Sequence, residues 1–243
     1  MLRRIRLLVA LPLVALLAMG PGPAEADPIV VPDVLAPIDS DHLLACTELV
    51  PHAVAISNKK VRMDLRVLLD GVGRKRAARA VGWMRRAYAP LGISVAPTYQ
   101  KVSFKGRDAD GLNRQAKKLY GGKRPRGVDV VYTITDKNIT AAGLTGTSDS
   151  VAGLADCIGG VRFAKRAFAV GEVFDSPVDT GKCLAHEIGH LFGGHHHYTS
   201  PEGMLGPEAN LLDLMGPSLG LISLRFSTVN ALMVRAHAQL YAD

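Results

Sequence analysis

Cys183-Leu184-Ala185-His186-Glu187-Ile188-Gly189-His190-Leu191-Phe192-Gly193-Gly194-His195-His196-His197 is the stretch on which the reading of this 243-residue sequence turns. On a helix, residues four apart share a face, so His186 and His190 can each turn a ring nitrogen toward one ion. Glu187 lies about 100° further round the helix, beside the open position of that ion and outside the ligand set. A carboxylate there suits deprotonation of an activated water. Gly193 falls three residues past His190, where a left-handed helix stop is easiest for glycine. The chain can then reverse, and His196 supplies a third nitrogen from outside the helix. Three protein ligands leave a fourth position for water, the arrangement of a catalytic Zn2+ and not of a closed structural one. His195 and His197 flank the chosen ligand and compete with it if the loop runs in another register. His42, His52 and His237 show no ligand spacing.

The run HEIGHLFGGHH, His186 to His196, resembles the long zinc-binding motif of the metzincin metallopeptidases, HExxHxxGxxH. Its surroundings resemble the secreted bacterial members of the adamalysin/reprolysin-like branch. That resemblance implies a methionine-containing turn beneath the metal. Leu212-Asp213-Leu214-Met215-Gly216-Pro217 is similar to it and makes Met215 the Met-turn residue, while the flanks of Met204 fit less well. Asp129 to Asp136 resembles the central strand of the branch, and Leu144 to Cys157 its glycine-containing edge strand. By the same resemblance an extended substrate lies near Gly153 to Cys157, with a side-chain pocket walled by the active helix and residues 217–221. The chain departs from the branch in one place: His197 stands where the pattern has Asp after the third histidine. The activity implied is zinc-dependent endopeptidase action on protein or peptide substrates, with Glu187 as base and Tyr198 a candidate second oxyanion donor. A gluzincin-like site using Glu202 or Glu208 as third ligand is disfavoured by the Gly193 to His196 spacing.

Outward from the motif, the pattern predicts an α/β chain with a mixed sheet. Val61 to Asp70 alternates as a strand, with Met63, Leu65, Val67 and Leu69 on one face. Arg74 to Ala89 reads as a helix with Ala77, Val81, Met84 and Tyr88 on one stripe, and Trp83, the lone tryptophan, as a packing residue. Ile93 to Phe104 is a second strand, and Asp108 to Tyr120 a second helix stopped by Gly121-Gly122. Val128 to Thr135 is apolar and β-branched enough for a buried strand. Gly143 to Gly160 suits an irregular edge strand, and Phe168 to Phe174 is a further strand. Asp179-Thr180 is the expected cap of the active-site helix. The order argues for a metzincin-like twisted mixed sheet of about five strands covered by helices. A smaller C-terminal lobe holds the Met-turn and a final helix.

The ends carry separate signals. Arg3, Arg4 and Arg6 precede the apolar run Leu7 to Met19, and Ala24-Glu25-Ala26 follows a Gly/Pro break. That is the layout of a secretory signal peptide covering residues 1–26, too short an apolar run for a membrane span. Residues 27–60 read as an N-terminal extension or short prosegment, and 61–243 as the catalytic domain. Loss of three Arg and one Glu with the leader takes the formal charge from +7 to +5. Basic residues are scattered over several segments, which points to solvated faces more than to a nucleic-acid site, with an anionic cell surface as a candidate contact. A polyanion binder and a non-catalytic zinc protein are the competing readings. Glu187 argues against the latter, because metal binding alone needs no carboxylate there. Of the three cysteines, Cys157 and Cys183 are the expected disulfide pair, both falling inside the catalytic domain, and Cys46 is a candidate thiol ligand for latency.

Overall fold

The computed structural model describes residues 29–30, 46, 53–54, 56–142, 148–196, 213–216 and 223–242. Its elements are β1 (Ile29–Val30), β2 (Ala53–Val54), β3 (Val61–Asp70), α1 (Arg74–Tyr88), β4 (Ile93–Val102), α2 (Ala109–Leu119), β5 (Val130–Thr135), β6 (Thr140–Ala142), β7 (Ser148–Ser150), β8 (Gly153–Ala155), β9 (Phe168–Glu172), α3 (Pro177–Leu191) and α4 (Thr228–Tyr241). The segment expected to be a leader lies outside the described residues.

Five strands form the main sheet in the order β4-β3-β5-β9-β8. The first four run parallel, and β8 closes the edge antiparallel to β9, with Leu154 opposite Val170. Strand β5, with the sequence Val-Val-Tyr-Thr-Ile-Thr, is buried at every position. A parallel strand covered on both faces needs such a continuous apolar and β-branched run. The helices follow from the same economy. Met63, Leu65 and Val67 of β3 pack with Val81, Met84 and Tyr88 of α1 and with Leu184 and Ile188 of α3. On the opposite face, Leu68, Val131 and Phe168 meet Ala116 of α2. Each large apolar side chain removed from water contributes about 1.5–3 kcal/mol, which fixes the layers.

The expected α/β architecture is therefore found, with about five strands in one mixed sheet and covering helices. Two expectations shift. The irregular edge segment contributes only three residues, Gly153–Ala155, to the main sheet, and β6 pairs with β7 as a separate hairpin. The active-site helix begins before Asp179-Thr180, at Pro177, capped by Ser176, whose hydroxyl accepts the Asp179 N–H at 3.2 Å. Proline loses nothing in the first turn, where N–H groups have no intrahelical partner, and Asp179 adds negative charge near the helix N-terminus. Helix α3 is buried almost all round, from Thr180 to Leu191 with Lys182 excepted, so it runs through the interior beneath the sheet edge.

Candidate metal centre

Helix α3 presents His186 and His190 one turn apart, 7% and 8% exposed. The Nδ1 of His186 is 2.8 Å from the Leu214 carbonyl, and that of His190 is 2.8 Å from the Gly194 carbonyl. A carbonyl can only accept, so both Nδ1 atoms donate their protons there and both Nε2 atoms are bare lone pairs. Yet those Nε2 atoms lie 3.1 Å apart, and the Nε2 of His196 lies 3.2 Å from that of His186. Two bare nitrogens repel at that distance unless a cation sits between them. A tetrahedral ion bonded at about 2.0–2.1 Å would space its nitrogens about 3.3–3.4 Å apart, close to what is seen. His186, His190 and His196 form the one metal-holding cluster found among the described residues.

The turn after α3 brings His196 into place. Gly193 has φ +84°, and its N–H donates to the His190 carbonyl at 2.9 Å. The Gly194 N–H returns to the Gly189 carbonyl at 2.9 Å. Those two bonds close the last helical turn, as a left-handed glycine stop does. A side chain at Gly193 would also meet the His237 ring of α4, with Cε1 2.4 Å from where its Cβ would stand. His195, the competitor, is not in the cluster. It is buried, with its N–H donating to Asn230 Oδ1 (2.9 Å) and its carbonyl accepting from Asn230 Nδ2 (3.1 Å). His197, Tyr198, Glu202, Met204, Glu208 and residues 217–221 lie outside the described residues.

Met215 is fully buried below this turn. Its sulfur stands 2.7 Å from the position a Cβ on Gly189 would take, and its methyl 3.3 Å from that of Gly194. The segment around it is pinned by Asp213, which accepts from the N–H groups of Met215 (2.9 Å) and Ser227 (3.0 Å) and from Asn230 Nδ2 (3.1 Å). The Leu214 N–H donates to the Arg225 carbonyl at 2.7 Å. Met215 therefore supports the strip of backbone whose carbonyl orients His186.

Residues 91–197 match the family described as Metallo-peptidase family M12B Reprolysin-like, a span that includes α3, Glu187 and all three histidines. Over that span, which is less than half of the chain, the sequence is similar to the reprolysin-like metallopeptidases. Its fold is similar to that of metalloproteinase-II from Bacteroides fragilis, at 16% identity and a TM-score of 0.52 over 74% of this chain and 55% of that one. The chain thus spans about half the length of that protein. It is similar also to archaemetzincin from Methanopyrus kandleri, at 19% identity and a TM-score of 0.52, covering 73% of this chain and 96% of that one. No curated protein sequence matches significantly. Family and donor set together make Zn2+ the metal of this domain.

Glu187 faces the same cleft, a cavity of about 310 Å³ bounded by β8, Cys157, Ile158 and the three histidines. Its carboxylate accepts the Ala155 N–H of β8. Burial pushes its pKa up to about 8, against the lowering effects of His196 and of the Ala155 hydrogen bond. Gly153 lets the strand come this close: a Cβ there would lie 2.6 Å from Glu187 Cγ and Oε1.

The expected Cys157–Cys183 disulfide is corrected. Cys157 pairs with Cys46, Cα to Cα 5.4 Å, and the Cys46 N–H donates to the Ile158 carbonyl at 3.0 Å. Cys183 is a free thiol on the inner face of α3, wholly buried, with Sγ 3.2 Å from the Ala152 carbonyl and 3.7 Å from the Tyr132 hydroxyl. Burial, with Glu187 nearby, pushes its pKa far up, so it stays protonated. Cys157 instead lines the cleft and is bridged to Cys46 of the N-terminal extension. With its sulfur in this bridge, Cys46 has no thiolate to offer a metal. Sequence reasoning also missed Asp213 and Asn230. The only hint was Ser227, three residues before Asn230, which caps α4.

Proposed function

We propose that the chain is an exported zinc-dependent endopeptidase in which Glu187 carries the proton. The observation behind this reading is one cavity that holds a buried carboxylate and three converging imidazoles against an edge strand. His186, His190 and His196 would hold the zinc, which when bound would supply a Lewis acid for the scissile carbonyl and lower the pKa of a water toward 7. Glu187 takes a proton from the attacking water and returns it to the leaving amine. Burial raises the Glu187 pKa, and a cation held beside it would favour the ionised, basic form. Met215 and the carbonyls of Leu214 and Gly194 keep the rings aimed, as partners of metal ligands do.

The β8 edge supports an extended peptide as substrate. Among the described residues β8 pairs only with β9, so its other edge, beside the cleft, suits strand addition. Export is supported by the signal-peptide pattern of residues 1–26 and by the Cys46–Cys157 bridge, a bond that persists in oxidising compartments. The test is a peptide library digested by wild type beside Glu187→Ala, with zinc content measured in both. Internal cleavage that falls at least a hundredfold in the variant, with zinc retained, is expected. Full zinc occupancy without cleavage of any peptide would make this a non-catalytic zinc protein, and release of terminal residues alone would refute the endopeptidase reading.

A further inference from the structure

One end of the sheet exposes cations without counter-ions beside bare apolar side chains. Strands β5 and β9 are parallel neighbours, so the loops leading into them open at the same end. Hydrogen bonds knit the two loops together. The Arg124 N–H donates to the Ala164 carbonyl at 2.8 Å, and its guanidinium to the Val161 carbonyl at 3.0 Å. The last turn of α2 joins them through the Lys117–Asp156 ion pair. On this surface Lys118, Lys123, Arg126, Arg162 and Lys165 are all exposed. Among the described residues no carboxylate forms an ion pair with any of them. The acids of the two loops are turned inward. Asp129 is buried and accepts the Asp64 N–H, and the Asp156 side chain is 7% exposed.

Two large apolar side chains stand out of the same surface, Leu119 at 44% and Phe163 at 39% exposure. Phe163 belongs to the run Arg162-Phe163-Ala164-Lys165-Arg166, in which every residue is exposed. The Arg162 guanidinium lies 5.5 Å from its ring centre. Water solvates exposed cations well, and single exposed apolar residues are ordinary. Their combination suits an interface in which negative headgroups overlie an acyl layer. We propose that this end of the sheet docks on an anionic lipid bilayer. Phe163 and Leu119 enter the boundary between headgroups and acyl chains, and the five cations meet phosphates. The contact is peripheral, since no helix among the described residues is long and apolar enough to cross a membrane. A single-stranded nucleic acid would stack on Phe163 but has no use for the aliphatic Leu119. The loop into β9 also carries Cys157 and Ile158 of the cleft wall, so docking through Phe163 keeps the cleft within a loop's length of the lipid.

The experiment sediments the full chain carrying Glu187→Ala, which removes any self-digestion, with vesicles of phosphatidylglycerol and phosphatidylcholine. Expected is binding at least tenfold stronger than to phosphatidylcholine alone. Each basic residue near such a surface contributes about fivefold in affinity, so Lys123→Glu with Lys165→Glu should weaken binding at least tenfold. Leu119→Ser with Phe163→Ser should weaken it at unchanged charge. In a chain with Phe163→Trp and Trp83→Phe, lipids brominated on their acyl chains should quench the fluorescence. That signal comes from position 163 alone, so no other apolar segment of the chain can mimic it. Unquenched fluorescence overturns the proposal, as does binding that survives the charge reversal. Loss on charge reversal but not on removal of both apolar side chains means a purely electrostatic contact and also overturns it. So does a single-stranded oligonucleotide that binds more tightly than the vesicles and displaces them, which makes this a nucleic-acid surface.

Discussion

Glu187 depends on a residue that has no side chain. With a Cβ at position 153 falling 2.6 Å from the Glu187 carboxylate, no larger residue fits there unless the carboxylate moves. Gly153→Val should therefore lower kcat at least tenfold while zinc content stays at one per chain and KM changes little, because ligand geometry is untouched. Loss of zinc in that variant would instead make Gly153 a determinant of the metal site. At this scale the sequence was informative where a side chain has a distinctive type and spacing. His186 and His190, with Glu187 beside them, stood out by helical spacing, and Gly193 and His196 by their offsets from His190; the three imidazoles converge and Gly193 has φ +84°. The Leu214 and Gly194 carbonyls that fix the imidazole tautomers were illegible, because every residue has a carbonyl and only the fold aims one. Gly153 was one glycine among five in its segment, and only the approach of α3 singles it out.

Elements were legible in proportion to their periodicity. The strand expected from Val61 to Asp70 is found with those bounds, and the helices at 74–88 and 109–119 fall within a residue or so of expectation. Strand β8 was harder, since three residues carry no period and its place is set by pairing with β9. The start of α3 was misplaced because Asp179 and Thr180 are both cap-forming residue types. Thr180 in fact turns its hydroxyl back to the Phe174 and Ser176 carbonyls, at 3.2 and 3.1 Å. Ser176 therefore holds the N-terminus, and Ser176→Ala should cost about 1 kcal/mol of stability. Chemical denaturation reads this directly, and the same loss from Asp179→Ala with none from Ser176→Ala would return the cap to its first assignment. Because His186 lies more than two turns further along a buried helix, zinc affinity should be unaffected.

Over the whole molecule, two long-range devices join the N-terminal extension and the final helix to the site. The Cys46–Cys157 bridge spans 111 residues of sequence and ends on the rim of the cleft. It was illegible because pairing depends on which sulfurs the fold brings together, and Cys183, nearer in sequence, is held beside the Ala152 carbonyl and the Tyr132 hydroxyl. Cys46→Ser should lower stability by about 2–5 kcal/mol, the usual cost of losing a native disulfide, measured as the shift in denaturation midpoint under oxidising conditions. The second device is His237, 3% exposed behind the Gly193 turn. Burial lowers its pKa from 6.5 to about 4, opposed by its bond to the Met233 carbonyl and assisted by the charge of Arg162. Below pH 6.5 the unfolded chain takes up a proton that the folded chain refuses until about pH 4, so stability falls as pH drops through that window and levels off beneath it. A shift of that size corresponds to about 3 kcal/mol. Metal binding by imidazoles is itself pH-dependent, so the comparison belongs in chelated protein, wild type beside His237→Gln. Loss of stability between pH 6.5 and 4 should shrink by about 3 kcal/mol in the variant, whereas parallel curves would mean that the His237 ring is already charged in the folded chain.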